Sequence, residues 1–173
     1  MKNAEYWIKT LKLSEHPEGG HFREAYRSEE SIAKKALPSR YSGPRAFSTS
    51  IFFLLKSGEV SHFHRLKSDE VWHFYEGSPL VFHMLAETGK YRQFRLGRNP
   101  EAGEALLAVL PRGVWFGAEV ARPRSFALSG CTVAPGFEFD DFEFGRREEM
   151  LLRFPQHRSV IERLAIVARS CQV

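Results

Sequence analysis

His62 and His64 stand two residues apart, Glu70 follows six residues after His64, and Gly58 and Gly77 flank the set. Imidazole nitrogens and a carboxylate oxygen form a donor set suited to a divalent metal, and Zn, Fe, Mn and Ni all accept it. Three protein ligands leave coordination positions open for water or substrate, the pattern of a catalytic centre. Positions i and i+2 of a β-strand project from one face, so a strand through this segment presents both imidazoles together. Leu66-Lys-Ser-Asp69 reads as a polar turn and Glu70-Val-Trp-His-Phe-Tyr75 as the returning strand, a hairpin that brings Glu70 to the same place. His62, His64 and Glu70 are therefore the expected metal ligands, with His64 and Glu70 as the expected acid–base residues. The same three side chains would serve equally as the polar lining of a pocket without metal.

Other residue types gather around this set. Trp72 and Phe74 share the face of Glu70 on an alternating strand, and Trp115 and Phe116 follow the turn Pro111-Arg-Gly113. They either wall a ligand pocket or fill a core. An apolar aromatic cavity with a few convergent polar groups is how small-molecule sites are built, so these four are expected at the ligand. Arg23, near the turn His16-Pro-Glu-Gly-Gly20, is the expected contact for an anionic group. Cys131 reads as a small buried hydrophobe, because no local cation would activate its thiol. Neither a phosphate-binding glycine loop nor a Ser-His-Asp signature is present.

The elements that must position these residues are short strands. Apolar runs recur at Ser50 to Lys56, Val71 to Tyr75, Leu80 to Ala86, Tyr91 to Leu96, Ala105 to Leu110, Val114 to Glu119 and Ser125 to Val133, separated by Gly- and Pro-containing turns. This spacing predicts an all-β sandwich or barrel. Ala105 to Leu110, the longest apolar run, predicts a buried strand. Ala4, Trp7, Ile8 and Leu11 form one helical stripe near the N-terminus, and Val160, Ile161, Leu164, Val167 and Ala168 form another near the C-terminus. Between Gly136 and Phe144, phenylalanines alternate with acids, and keeping all four rings inside requires a bend at Asp140-Asp141. Ser28 to Arg45 reads as a long polar loop.

With 173 residues, 43% apolar, the chain is expected to form a single domain over 1–173, with its core at about 47–145, an N-terminal helix and arm over 1–46 and a helical tail over 146–173. The two cysteines, Cys131 and Cys171, exclude a disulfide framework and a paired-cysteine metal site. No apolar segment approaches the length of a membrane span and none resembles a signal peptide, so the expected setting is the cytoplasm, without a membrane partner. The formal charge of +4 permits an anionic small-molecule substrate, whereas the scattered, acid-balanced Lys and Arg argue against nucleic acid.

These residues resemble the cupin superfamily. Gly58, His62, His64, Glu70 and Gly77 follow its first motif, with Gly58 closer to His62, and Glu70 one residue further from His64, than is usual. Pro111-Arg-Gly113 follows its second motif, with Phe116 where that motif usually carries a fourth ligand. The phrases His16-Pro-Glu-Gly-Gly20, Ser68-Asp-Glu-Val-Trp-His-Phe-Tyr-Glu-Gly77, Pro111-Arg-Gly-Val-Trp115 and Gly130-Cys-Thr-Val-Ala-Pro-Gly-Phe-Glu-Phe-Asp-Asp-Phe142 are similar to the small single-domain cupin-5 family, over roughly residues 4–145. The resemblance implies a double-stranded β-helix, or jelly-roll barrel, with a short N-terminal helix and a C-terminal helix. It also implies a homodimer. Isomerase, epimerase and oxygenase chemistry on a small polar metabolite such as a sugar or organic acid all follow from it, as does a non-catalytic ligand-binding or sensor module.

Overall fold

The computed structural model describes residues 2–167. Ala168 and Cys171, read above as part of the C-terminal stripe and as one of the two thiols, lie outside the described residues.

Helix α1 (Ala4–Leu11) opens the chain, and the Asn3 side chain caps it by accepting from the Tyr6 amide at 2.9 Å. The strands that follow are β1 (Ser14–Glu15), β2 (His21–Arg27), β3 (Ser31–Ile32), β4 (Arg45–Ala46), β5 (Thr49–Lys56), β6 (Val60–Leu66) and β7 (Glu70–Gly77). Next come β8 (Leu80–Leu85), β9 (Tyr91–Leu96), β10 (Glu104–Ala105), β11 (Leu107–Leu110), β12 (Trp115–Val120), β13 (Phe126–Val133) and β14 (Phe142–Phe144). Helices α2 (Arg147–Arg153) and α3 (Arg158–Leu164) close the described chain. Among the described residues, no helix is long and apolar enough to cross a membrane.

Two sheets face each other. One runs in the order β1-β2-β5-β13-β7-β11, the other β10-β9-β8-β12-β6-β14. This is the all-β double-stranded β-helix that the motifs imply, with short helices at both ends. The inward faces meet in a core that includes Phe53, Leu55, Trp72, Phe82, Phe116 and Cys131. Rings meet there edge-on, as Phe53 and Trp72 do at 5.3 Å and 83°.

Two satellite cores bury the outer faces. Trp7, Ile8 and Leu11 of α1 pack on Leu54 and Leu128. Met150, Val160, Ile161 and Leu164 of α2 and α3 pack on Phe63, Leu85 and Trp115. The tail therefore carries two short helices, and Val167 of the expected stripe is exposed beyond the second.

Three expectations about the strands change. First, β6 and β7 do not pair as a hairpin. They belong to opposite sheets, so the turn at Lys67 to Asp69 carries the chain across the barrel and Glu70 faces β6 instead of lying beside it. Second, the apolar run Ala105 to Leu110 is divided. β10 pairs in parallel with β9, whereas β11 pairs with β7 as an edge strand of the other sheet, leaving Leu106, Leu107 and Val109 half exposed. A uniform apolar run contains nothing that marks such a switch. Third, the long polar segment before β4 contains local structure and is pinned by Arg45. That side chain is buried and donates to both carboxylate oxygens of Asp141 at 2.6 and 2.7 Å. The expected bend at Asp140-Asp141 is a single 3-10 turn over Phe139–Asp141.

Candidate functional site

β6 carries a bulge that decides which of its residues reach the interior. Against β12, His64 pairs with Phe116 and Ser61 with Ala118, so His62 and Phe63 together stand opposite Gly117. Two residues against one reverse the alternation of the strand. Ser61 faces in, His62 and Phe63 both face out, and His64 faces in. Gly117 makes room for the doubled strand: a Cβ there would lie 2.9 Å from the Ser61 carbonyl oxygen and 3.2 Å from the Phe63 nitrogen.

His62 and His64 therefore do not share a face. The His62 ring lies against the tail, its Nδ1 3.0 Å from the Leu164 carbonyl oxygen. The expected trio His62, His64 and Glu70 is not assembled, because one imidazole is on the wrong side of its own sheet. Among the described residues, no other group of three or more His, Cys, Asp or Glu is placed to hold a metal ion. The expected donor set does not fit a metal.

What meets His64 instead is Glu18. The turn His16 to Gly20 docks on the bulged strand, where the His62 amide donates to the Glu18 carbonyl at 2.8 Å. Gly19, at φ 105°, presses directly on the Val60 carbonyl, so a side chain there would collide with backbone. This docking delivers the Glu18 carboxyl into the barrel, its Oε2 3.2 Å from His64 Nε2. The Ser61 hydroxyl donates to Glu18 Oε1 at 2.9 Å. Glu18 and His64 are 4% and 2% exposed.

The protonation of this pair follows from its partners. His64 Nδ1 lies 2.7 Å from the His62 carbonyl oxygen, which only accepts, so Nδ1 carries a proton. Burial disfavours a second proton and lowers the His64 pKa to about 3. Burial raises the Glu18 carboxyl well above its ordinary range, and the nearby Glu70 adds to the rise. The pair is thus neutral, with Glu18 Oε2–H donating to His64 Nε2. His16 completes the turn: its Nδ1 accepts from the Glu18 amide at 3.2 Å, and burial lowers its pKa to about 4.

Glu70 lies on the opposite wall. Its Oε2 accepts from Trp72 Nε1 at 3.1 Å and from the Cys131 thiol at 3.1 Å, while its Oε1 is buried without a hydrogen-bond partner. Burial raises the Glu70 pKa to about 7, and the two donors pull it partly back. In turn, burial and Glu70 push the Cys131 thiol well up, so that it stays protonated.

Between these walls is a cavity of about 120 Å³. Its floor includes His64, Glu70, Trp72 and Cys131, its sides Phe22, Ile51 and Phe142, and its mouth Arg27, Glu138 and Phe139. Phe142 stacks on the His64 ring at 5.0 Å and 16°, fixing the plane of the imidazole.

Of the expected pocket residues, Trp72 reaches the cavity. Phe74 points inward but is buried in the core away from the lining, with the Arg98 guanidinium 5.9 Å from its ring centre. Phe116 backs the site: its ring meets His64 edge-on at 4.1 Å. Trp115 faces outward and is buried under α2 and α3, with Arg65 stacked 4.3 Å above it. Arg23 sits on the outer face of β2, its guanidinium 5.6 Å from the Phe52 ring centre, since Phe22 and Glu24 occupy the inward positions. A register shift between Glu24 and Tyr26 then turns Arg27 to the mouth. The phrase His16–Gly20, expected as a turn, also supplies Glu18 to the cavity. The available signal was an unusually dense polar phrase, His-Pro-Glu-Gly-Gly, beside an alternating strand.

A family model described as Cupin superfamily (DUF985) matches residues 5–145. The chain is similar to a crystal structure of protein SO0799 from Shewanella oneidensis, with 42% identity, a TM-score of 0.87, and coverage of 96% of this chain and 99% of that one. It is also similar to a hypothetical protein from Leishmania major, with 34% identity, a TM-score of 0.86, and 94% and 98% of the two chains covered. Among curated proteins it matches the uncharacterized protein YML079W of Saccharomyces cerevisiae, 28% identical over 154 residues, which are 83% of this chain and 76% of the relative.

Proposed function

Since the chain belongs to the DUF985 family of the cupin superfamily, we propose that its barrel binds a small organic molecule and moves a proton on it, with Glu18 and His64 as the acid–base pair. The observation that carries this reading is the buried Glu18–His64 contact at the floor of an open cavity. A carboxylic acid and an imidazole that share one proton, away from water, exchange acid and base roles at little cost. Glu18 gives its proton to a ligand heteroatom while His64 Nε2 takes the proton from the adjacent ligand carbon, and the new Nε2–H then donates to the carboxylate left behind. The reverse step restores the pair. Ser61 holds the second Glu18 oxygen, so the carboxyl cannot turn away.

The class of reaction that fits is isomerisation or epimerisation through proton abstraction, an option the cupin resemblance already includes. The cavity is on the scale of the ~150 Å³ that admits a benzene-sized molecule, which limits the reacting part of the ligand to roughly a single ring. Phe137 and Phe139 near the mouth, with Phe142 on the side, shield it from water.

The test begins with gently purified protein. Small molecules released on denaturation are identified by mass spectrometry, then returned to fresh protein in deuterium oxide. Deuterium uptake at carbon, or an isomer, is the expected result, and Glu18→Gln should abolish it. Released molecules that return unchanged and without deuterium would establish a binding module and overturn the catalytic reading.

A further inference from the structure

We infer that the ligand of this cavity presents a cationic head, a protonated amine or similar organic cation, to the wall built around Glu70. The inference rests on reading the cavity as the ligand site and adds the charge of what enters it.

Three independent features point the same way. The first is the charge on the lining. Glu18, Glu24, Glu70 and Glu138 all line the cavity, and among the described residues the sole Lys or Arg there is Arg27. That guanidinium is already committed: Nε and Nη2 donate to the two Glu24 oxygens at 3.0 and 2.9 Å, and Nη1 to Glu138 at 2.7 Å. Nη2 also reaches the Phe137 carbonyl at 3.2 Å. His16 and His64 are held neutral by burial. An anionic ligand would thus meet no uncommitted cation among the described residues, and the Arg27 cluster itself carries a net negative charge.

The second feature is Glu70. It is 4% exposed, and its Oε1 has no hydrogen-bond partner. Buried carboxyl oxygens without partners are rare in folded proteins because their desolvation is uncompensated. A donor on the ligand would supply the missing bond, and a charged donor would also supply the missing counter-ion.

The third is the wall chemistry. Phe22, Trp72, Phe137 and Phe142 bring ring faces and edges to the same space, and Trp72 stands beside Glu70 on β7. Aromatic rings beside carboxylates form the usual cradle for organic ammonium groups, each ring face adding an electrostatic attraction that strengthens away from water. The same walls give an anionic ligand no such attraction. The formal charge of +4 therefore says nothing about the ligand, because the groups that line the cavity have the opposite balance.

Benzylamine, benzyl alcohol and benzoate share one ring and differ in the polar head. Their binding to the full chain at neutral pH is measured by titration calorimetry, with thermal shift as a second readout. Benzylamine is expected to bind at least ~10-fold more tightly than the other two. Glu70→Gln should remove most of that preference. If the variant fails to fold, the wild-type ranking decides alone. Benzoate or benzyl alcohol binding as tightly as benzylamine overturns the cationic head while the acid–base reading stands. Absence of binding by all three overturns it as well. The acid–base reading fails separately, through the deuterium experiment.

Discussion

Glu18 Oε2 meets His64 Nε2 at 3.2 Å inside the barrel, although the two residues come from a turn before β2 and from β6. His64 thus meets Glu18, while His62 turns to the Leu164 carbonyl on the outer face. Glu18 and His64 are both almost fully buried, and both line the cavity.

The first prediction concerns that proton. Glu18→Gln keeps a donor toward His64 Nε2 and a carbonyl toward Ser61, so the fold should survive with a loss of no more than ~1 kcal/mol. It removes the acid, and proton exchange on the released ligand should fall by ~10²–10⁴-fold, the usual range for loss of a positioned acid or base. Mass-spectrometric deuterium uptake measures the rate, and thermal denaturation measures the fold. A variant that exchanges at the wild-type rate removes Glu18 from the chemistry.

Acid stability follows from the lowered histidines. His16 at about 4 and His64 at about 3 both lie below the ordinary 6.5. Below pH 6.5 the unfolded chain takes up protons that the folded chain excludes, so their contribution rises with pH across that window and is lost as pH falls. Asn at position 16 still offers an acceptor to the Glu18 amide. His16→Asn should therefore lose less melting temperature than wild type between pH 6.5 and pH 4. Equal slopes for the two proteins would contradict the assignment.

Glu70 acts with the opposite sign. Its pKa is raised from 4.5 to about 7, so between those values the folded chain keeps a proton that the unfolded chain has lost. Its contribution falls as pH rises through that window. Glu70→Gln removes the dependence. The stability of the variant relative to wild type should grow from pH 4.5 to pH 7, by at most ~3 kcal/mol. Chemical denaturation at several pH values reads the difference, and a constant gap would show that Glu70 titrates normally.

Gly117 fixes the bulge. Gly117→Ala places a methyl group 2.9 Å from the Ser61 carbonyl oxygen and 3.2 Å from the Phe63 nitrogen, so backbone must move. A loss of ~1–3 kcal/mol is expected, with the displacement concentrated in β6. Denaturant unfolding gives the energy, and a crystal structure of the variant shows whether His64 has left Glu18. A variant as stable as wild type would mean that the bulge does not need the glycine.

The edge strand β11 carries the prediction about assembly. Leu106, Leu107 and Val109 are 58%, 51% and 50% exposed, beside Tyr75 at 48%. β11 pairs with β7 on one side and has no neighbour on the other among the described residues. We propose that a second copy covers this apolar edge, because an antiparallel edge pairs with itself about a two-fold axis. Sedimentation should show a dimer that the double substitution Leu107→Lys, Val109→Lys converts to a folded monomer. A monomeric wild-type chain at micromolar concentration would refute it.

Much of this architecture is legible in the sequence. The stripe Ala4, Trp7, Ile8 and Leu11 specifies α1, and the recurrent short runs between Gly and Pro turns specify strands and a two-sheet barrel. The motif glycines and Glu70 identify β6 and β7 as the strands that flank a cavity. These features are local: each depends on a repeat or a turn that a few neighbouring residues contain. The direction in which His62 points is not local. It depends on Gly117, on another strand, where the missing Cβ lets two residues of β6 stand opposite one and turns the alternation over. The entry of Glu18 depends likewise on a backbone hydrogen bond between the first turn and that bulge. The division of Ala105 to Leu110 depends on which sheet each half meets. Periodicity along a chain records which residues prefer to be buried, whereas register against a partner strand decides which side they reach, and that choice exists only once the sheets have closed.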